Sequence, residues 1–374
     1  MKISFVGDIM LGRFIVKKYN EQPYDIVSPD LIEKIKEADL VVGNLESPIT
    51  KNCEVSKDHL VFQGNPQIIK EFNWVDCLSL SNNHINDCGE QGMDDTAEVL
   101  NENAMKWNGL FKEDYEPYFF QHIGQKIAII TCADMMNHEF AEDNDWKTIR
   151  IDDPILDNVI KKYRNEGYFV ILYAHVGILF TRFPNPQIRE FCHNKIDLGV
   201  DMIVTVHPHV LGGMEVYKDK NIFYSLGDFV MDGSSFRRRR SGVLSCNIEN
   251  NQLKSWEILC VNINNALQTT FAEVSVKNKM LKSFNHVTEK LEKHTDDYAS
   301  FYSKQYKKEI IQHSLSTLFF IYKNKGLKSL FRLLFTRMED VFGMLKRTVT
   351  NRKNMRYDSD AVNHNKKMSS DDIY

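Results

Sequence analysis

Side chains that can bind a metal ion recur where the predicted strands end. The residues that follow five short apolar runs in this way are Asp8, Glu46, Asn83 with His84, His175, and His207 with His209. In open α/β sheets, ligand sites form beyond the carboxyl ends of the strands. Carboxylate and amide oxygens together with imidazole nitrogens suit manganese, iron or zinc, and the lack of thiolates among them argues against a structural zinc. The sequence therefore predicts a divalent metal site.

Two of these segments have spacings that favour a shared pocket. Alternate residues of an extended segment point the same way, so His207 and His209 can face one site, although two loop histidines would give the same pattern. The carboxylate of Asp87 can bond His84 and fix its tautomer, but an Asn-rich turn is the alternative. A lone residue such as His175 is more often a satisfied core histidine. It is a ligand candidate only because of the others.

The elements that would position these residues are short strands alternating with helices. Apolar strand-like runs occupy residues 3–6, 40–42, 77–80, 126–131, 169–173 and 202–206, with helix-like stretches at 29–37, 93–103 and 186–198. This alternation predicts an α/β domain with buried, largely parallel strands. Two later runs, at 222–225 and 242–248, are more typical of a meander.

The composition is that of a soluble globular protein. Of the 374 residues, 43% are apolar and 26% are charged, which excludes a mostly disordered, fibrous or multi-pass membrane chain. A formal net charge of only −4 argues against a dedicated nucleic-acid binder, so no nucleic-acid partner is expected. The first residues lack the pattern of a signal peptide, and no apolar run is long enough for a transmembrane helix.

The sequence assigns no functional role to the cysteines. Their number is seven, an odd count, and none forms a CxxC pair. The sequence therefore predicts neither a disulfide framework nor a cysteine zinc site, and it favours a reducing compartment. We expect the protein to be cytoplasmic, with peripheral contact at the inner membrane face as a further expectation.

The C-terminal part of the chain differs in charge from the rest. Residues 304–356 contain thirteen Lys or Arg against three acidic residues. The apolar residues that recur there at steps of three and four are Leu327, Leu330, Phe331, Leu334, Met338, Val341, Phe342, Leu345 and Val349. This pattern predicts a basic amphipathic helix. It could lie on an anionic membrane, but packing on the core or on a second subunit is favoured. From residue 351 a frayed end is expected.

Six motifs make the chain resemble the CapA family of bacterial capsule and poly-γ-glutamate synthesis proteins. They are GDIMLGR at 7–13, GNLESP at 43–48, SNNHINDCG at 81–89, AHVG at 174–177, HPHVL at 207–211 and IFYSLGDFV at 222–230. All occur in the family's order within residues 1–250, and together they are highly specific. The last hundred residues lie outside the resemblance. Asp228 stands where the family has Asn, which adds a carboxylate near the site.

The resemblance implies an α/β fold of the metallophosphoesterase-like class, a β-sandwich flanked by helices, here followed by a C-terminal helical extension. We expect this domain over residues 1–270 and the extension over 271–374. The resemblance also implies a two-metal site of Mn, Fe or Zn. The residues that match its ligand motifs are Asp8, Glu46, Asn83, His175, His207 and His209, with Glu46 as the bridging carboxylate. Generic metallophosphoesterases have a His where Met10 stands, and a thioether binds hard metals poorly, which puts one of the two metal positions in doubt.

Two functions follow as hypotheses. The first is a metal-dependent hydrolase in which His84, oriented by Asp87, assists the leaving oxygen and Arg13 neutralises an anionic, phosphate-containing substrate. The second is a non-catalytic factor that binds an anionic capsular polymer or serves its synthesis or export, and the basic C-terminal helix could then contact the capsule machinery. The arginine run at 237–240 is either a solvated loop or a clamp for a polyanion. Whether the protein is an enzyme stays open at this point, with a phosphoesterase-like hydrolase favoured.

Overall fold

The computed structural model describes residues 1–53, 61–122, 124–134, 136–137, 140 and 144–350. Within this part of the chain, the strands are β1 (Lys2–Ile9), β2 (Leu40–Leu45), β3 (Cys77–Ser79), β4 (Lys106–Asn108), β5 (Tyr118–His122), β6 (Gln125–Ala133), β7 (Phe169–His175), β8 (Met202–Val206), β9 (Met214–Tyr217), β10 (Lys220–Phe223), β11 (Asp228–Val230), β12 (Arg240–Glu249), β13 (Gln252–Ile263) and β14 (Thr269–Phe271).

The helices flank these strands and then continue beyond them. They are α1 (Arg13–Glu21), α2 (Pro29–Ile35), α3 (Gly89–Glu102), α4 (Pro154–Asn165), α5 (Pro186–Leu198), α6 (Val274–Lys293) and α7 (Tyr298–Thr350), with a short 3-10 helix at Ile68–Phe72. Helix α7 is kinked at Gly326, where φ is 77°, a conformation that glycine adopts without steric cost.

The strands form two sheets that pack face to face. One has the order β14-β13-β12-β1-β2-β3-β4, with β11 also pairing to β1, and the other has the order β5-β6-β7-β8-β10-β9. In the first sheet β1 to β4 are parallel, and β12, β13 and β14 pair antiparallel on the other side of β1. In the second sheet β6, β7, β8 and β10 are parallel, and β5 and β9 are antiparallel strands at the two edges. The central strands are buried along almost their whole length, which is why they appear as continuous apolar runs in the sequence.

Three apolar clusters give the sandwich its layers. Between the sheets, Phe5 and Val42 of the first sheet share a cluster with Ile171 and Val204 of the second. On the outer face of the first sheet, a second cluster includes residues of α1, α2 and α3. On the outer face of the second sheet, a third cluster joins α4 and α5 to α6 and the start of α7. The sheets are therefore enclosed by helices on both sides.

The architecture confirms the predicted fold class, an α/β sandwich of two sheets flanked by helices and followed by C-terminal helices. Each of the predicted parallel strands is present within a few residues of its expected bounds. The strands that the sequence pattern did not reveal are β4, β5, β9, β11, β13 and β14. All except β13 are three to five residues long, whereas β13 has 12 residues and lies between β14 and β12. The boundary at residue 270 falls inside β14 and stays a prediction.

The prediction that the cysteines form no disulfide is wrong for one pair. Cys53 and Cys88 form a disulfide, with their Cα atoms 4.8 Å apart, whereas the other five cysteines are free and buried. Cys53 lies in the segment after β2 and Cys88 caps the start of α3. The two cysteines are 35 positions apart along the chain, so their spacing gave no signal for the bond.

The start of α7 packs on the core, whereas most of the predicted apolar stripe has no described side chains. Phe301, Tyr302, Phe320 and Ile321 are buried, and Leu327 is 55% exposed. The other stripe residues, from 330 to 349, and the expected frayed end from residue 351 lie outside the described side chains. Among the helices described, none has the length and apolar character needed to cross a membrane.

Candidate metal centre

The predicted ligands meet where strands of both sheets end. Asp8 lies near the end of β1 and is paired in register with Asn44 of β2, and Glu46 follows β2 directly. His175 is the last residue of β7, and His207 follows β8 directly. Because the carboxyl ends of parallel strands reach the same edge of a sheet, residues far apart in sequence converge here.

Two groups of side chains are close enough to hold metal ions. Glu46, His175 and His207 form one group, and Asp8, Glu46 and His209 form the other. Within each group the ligand atoms lie within 4.8 Å of one another, and every member is buried. Glu46 belongs to both groups, so its carboxylate is common to the two sets of candidate ligand atoms.

Glu46 itself is a buried carboxylate without hydrogen bonds. Its side chain is fully buried, and neither oxygen has a hydrogen-bond partner in the described part of the chain. Oε1 lies 3.6 Å from His175 Nε2 and 3.7 Å from His209 Nε2. Burial raises the pKa of Glu46 well above its ordinary value, and the neighbouring Asp8 and Asp228 add to the rise against the opposing effect of His209. A buried carboxylate without hydrogen bonds fits a metal ligand, because a cation would compensate its charge.

His175 and His207 are buried imidazoles that lie next to each other. Burial and the neighbouring imidazoles hold the pKa of His175 and that of His207 well below the ordinary value. His175 Nε2 lies 2.7 Å from Asn83 Oδ1 and 2.9 Å from His207 Nδ1. Neutral imidazole is the form that binds metals, so these two residues need lose no proton to act as ligands.

His209 is positioned by a carboxylate on its other ring nitrogen. Its Nδ1 lies 2.6 Å from Asp228 Oδ1, and Nε2 points toward Glu46. Burial would lower the pKa of His209, but Asp228 and Glu46 outweigh it and raise the pKa to about 10. A carboxylate on the far nitrogen is the usual way to orient a metal-binding imidazole, and metal binding at Nε2 must displace a proton.

The backbone that carries these two histidines is in an unusual conformation. His207 has a φ of 101° and His209 a φ of 57°, both in the region that non-glycine residues rarely adopt. The His207 amide donates to Asp8 Oδ2 at 3.2 Å, which holds the turn against the end of β1. Strain of this kind persists where the surroundings fix it, and it is concentrated at functional sites.

His84, the predicted acid group, lies beside these candidate ligands. His84 Nδ1 is 2.7 Å from Asp87 Oδ2, and His84 Nε2 is 3.9 Å from Glu46 Oε1. Phe62 stacks on the imidazole with ring centroids 3.7 Å apart, and its amide donates to the same Asp87 oxygen. The amide of Asn137 contacts both ring nitrogens of His84 at 3.1 and 3.2 Å.

Two other residues of the sequence analysis, Arg13 and Met10, each have a partner in the structure. The guanidinium of Arg13 is engaged by the carboxylate of Asp232 through both Nε and Nη2, and its Cζ lies 4.8 Å from the centre of the Phe62 ring, which in turn stacks on His84. Met10 is fully buried, and its sulfur accepts a hydrogen bond from the Gly12 amide at 3.0 Å. The thioether at the position for which the sequence analysis noted a missing histidine therefore already accepts a backbone hydrogen bond.

Several residues near the site were not singled out by the sequence. Phe62 and Asn137 contact His84, and Phe180 lies 6.3 Å, ring to ring, from His209. His313 of α7 stacks on Phe180 with ring centroids 3.9 Å apart. No motif marks these positions. Asp228 alone carried a signal, since it departs from the family's Asn.

The amino-acid sequence is similar to those of bacterial capsule synthesis proteins. A family model described as bacterial capsule synthesis protein PGA_cap matches residues 2–233. The chain is 29% identical over 291 residues to the PGA biosynthesis protein CapA of Bacillus subtilis (strain 168), covering 75% of this chain and 76% of that protein. It is 25% identical over 304 residues to the capsule biosynthesis protein CapA of Bacillus anthracis, covering 78% and 74%.

Among solved structures, the NAD nucleotidase NadN of Haemophilus influenzae resembles the chain with a TM-score of 0.44 and 14% identity. The alignment covers 76% of this chain and 62% of that chain.

Proposed function

The chain belongs to the bacterial capsule synthesis protein PGA_cap family, and on that premise we propose that it acts in capsule or poly-γ-glutamate biosynthesis through a metal-dependent, phosphoesterase-like hydrolase site. The observation that carries the hydrolase proposal is Glu46. It is a fully buried carboxylate without hydrogen bonds in the described part of the chain, and it is shared by two groups of ligand atoms. The names of the two CapA relatives support the biosynthetic setting.

The donor set suits two divalent ions, with Mn, Fe or Zn as the proposed metals. Asp8, Glu46 and His209 would hold one ion, and Glu46, His175 and His207 the other. Asn83 would add an amide oxygen, because its Oδ1 is directed at His175. Paired cations at such a site supply Lewis-acid polarisation of a phosphoryl oxygen and charge neutralisation.

The chain's own groups then account for orientation and proton transfer. Asp87 contacts Nδ1 of His84, and Nε2 of the same ring faces Glu46. In this proposal Nε2 carries the proton that the leaving oxygen takes up. Phe62 covers one face of the His84 ring and excludes water from it. Asp228 binds Nδ1 of His209 and so keeps Nε2 directed toward Glu46.

A pair of isosteric substitutions tests this proposal. Glu46→Gln removes the shared charge without changing shape, and Glu292→Gln alters an exposed glutamate of α6 as the matched control. Metal content after Mn²⁺ loading and hydrolysis of bis(4-nitrophenyl) phosphate are measured for both variants. We expect wild type and control to bind and hydrolyse, and Glu46→Gln to lose both activities. Equal metal content and hydrolysis in all three proteins would refute the assignment of Glu46.

Met10 favours a second candidate function, a non-catalytic factor that binds an anionic capsular polymer. Its buried sulfur accepts a hydrogen bond from Gly12, and a thioether binds hard metals poorly, so position 10 adds no strong ligand to the groups of His, Asp and Glu. A panel of phosphoesters and a poly-γ-glutamate binding assay, added to the experiment above, separate the two functions. Bound metal without hydrolysis of any phosphoester, together with retention of poly-γ-glutamate, would favour the binding factor.

A further inference from the structure

The four consecutive arginines at 237–240 have different environments. Arg237 pairs with Glu309 of α7, and Arg239 donates to backbone carbonyls at Gly233 and Asn264. The guanidinium of Arg240 lies 5.9 Å from the ring of Phe236. Arg238 is the member of the run that contacts the metal centre. The run is therefore neither a uniform clamp nor a solvated loop.

Arg238 is separated from a metal-ligand candidate by a single carboxylate. Its Nε donates to Asp228 Oδ2 at 3.2 Å, and the other oxygen of Asp228 lies 2.6 Å from His209 Nδ1. In the part of the chain that the structure describes, Nε is the guanidinium atom that donates a hydrogen bond, and the two terminal amino groups are left for another acceptor. The side chain is 14% exposed, so the guanidinium is fixed in place but reachable.

Arg13 shows the contrasting arrangement. Both its Nε and Nη2 donate to the carboxylate of Asp232, so that its donor fork is already filled by an internal acid. A guanidinium recognises phosphate through two parallel donors, and such a pair is the strong form of the contact. Of the two arginines, Arg238 is the one that retains this pair beside the ligand groups.

The C-terminal helix α7 packs near Arg238 through the ring of Phe180. Its Cζ lies 5.4 Å from the centre of the Phe180 ring, and His313 of α7 stacks on Phe180 with an interplanar angle of 2°. The buried Glu309, one turn earlier on α7, accepts hydrogen bonds from Arg182 and Arg237 and so fastens the helix to the loops on both sides. These α7 residues lie beyond the 2–233 region of the family match.

We infer that Arg238 binds an anionic oxygen of the substrate beside the metal centre, in a subsite whose wall is completed by Phe180 and the C-terminal helix. The ligand class is a phosphate or phosphoester group, whose oxygens match the two free amino groups of the fork. This inference rests on the proposed function for the nature of the substrate. It does not depend on whether hydrolysis occurs.

Binding of inorganic phosphate tests the subsite directly. Isothermal titration calorimetry of the full chain, with and without Mn²⁺, compares wild type with Arg238→Gln and Arg238→Lys. Arg240→Gln, in the same run but beside Phe236, is the matched control. Mn²⁺ affinity is measured separately for each protein, so that a disturbed His209 is recognised. We expect Arg238→Gln to weaken phosphate binding about ten- to hundred-fold, the usual size of a charge-assisted contact, with a smaller loss for Arg238→Lys.

Each outcome decides the matter. Phosphate affinity that is unchanged in Arg238→Gln, or lost equally in Arg240→Gln, would overturn the inference, and so would a wild type that binds no phosphate. A loss of phosphate affinity that merely follows a loss of Mn²⁺ affinity would also overturn it, since Arg238 would then act only through His209. Absence of Mn²⁺ uptake by wild type would instead refute the metal centre. Phosphate binding that depends on Arg238 in metal-free protein would still support the subsite.

Discussion

Loss of the disulfide between Cys53 and Cys88 should lower the free energy of unfolding by about 4 kcal/mol. The bond closes a loop whose ends are 35 residues apart. In the chain-entropy description, closing a loop of this length removes about 13 cal/mol/K from the unfolded ensemble, which is about 4 kcal/mol at 25 °C. Typical domains have a net stability of roughly 5–15 kcal/mol, so the bond is a large fraction of the total.

Equilibrium unfolding in guanidinium chloride measures this difference. The double variant Cys53→Ser/Cys88→Ser is compared with wild type, each with and without a phosphine reductant. The reductant should shift the unfolding midpoint of wild type to that of the double variant and leave the variant unchanged. Because the five other cysteines are free thiols, their presence in both proteins provides an internal control for unrelated effects of the reductant.

Thiol titration of the denatured protein provides the independent check. Without reduction, five thiols should react, and after reduction all seven should react. Seven reactive thiols in protein purified under air would show that the bond does not form in solution. Equal unfolding free energies with five reactive thiols would show that the bond forms but that the unfolded chain gains no entropy when it is broken. Either result would refute the reasoning.

Three further predictions concern charged groups. Glu309→Gln should destabilise the protein by about 3 kcal/mol, measured by chemical denaturation, because two arginine charges lose their buried partner. Although burial opposes it, hydrogen bonds from His193 and Arg189 lower the pKa of Glu215 to about 2. Its contribution of about 3 kcal/mol is complete above pH 4.5 and is lost toward pH 2, and the stability of Glu215→Gln should lack this dependence. Asp228→Asn should lower the pKa of His209 from about 10 in metal-free protein, as followed by NMR.

The strands and the positions of the candidate ligands could be predicted because both depend on local pattern. A buried parallel strand requires a continuous apolar run, and a polar residue that follows it must lie at the sheet edge. This reasoning placed Glu46, His175 and His207 next to strand ends, where the structure has them. The assignment of these residues as metal ligands remains a prediction that the metal analysis will test.

Contacts between distant segments could not be predicted in the same way. The partner of Arg13 is Asp232, and the partner of Arg237 is Glu309, in each case on a segment whose approach depends on the completed fold. The disulfide is of the same kind. Edge strands such as β9 and β14 were missed because they are three or four residues long and bury only part of their surface.

The pairing of β1 with β11 places Asp8 opposite Asp228, so two carboxylates that are distant in the sequence meet only after both strands have been synthesised. Translation reaches Asp228 about 200 residues after Asp8. At roughly 5–20 residues per second, that interval lasts tens of seconds. Throughout it the nascent chain carries Asp8 without the strand that pairs with it. If the site binds metal as proposed, its surroundings are therefore complete only after translation has passed β11.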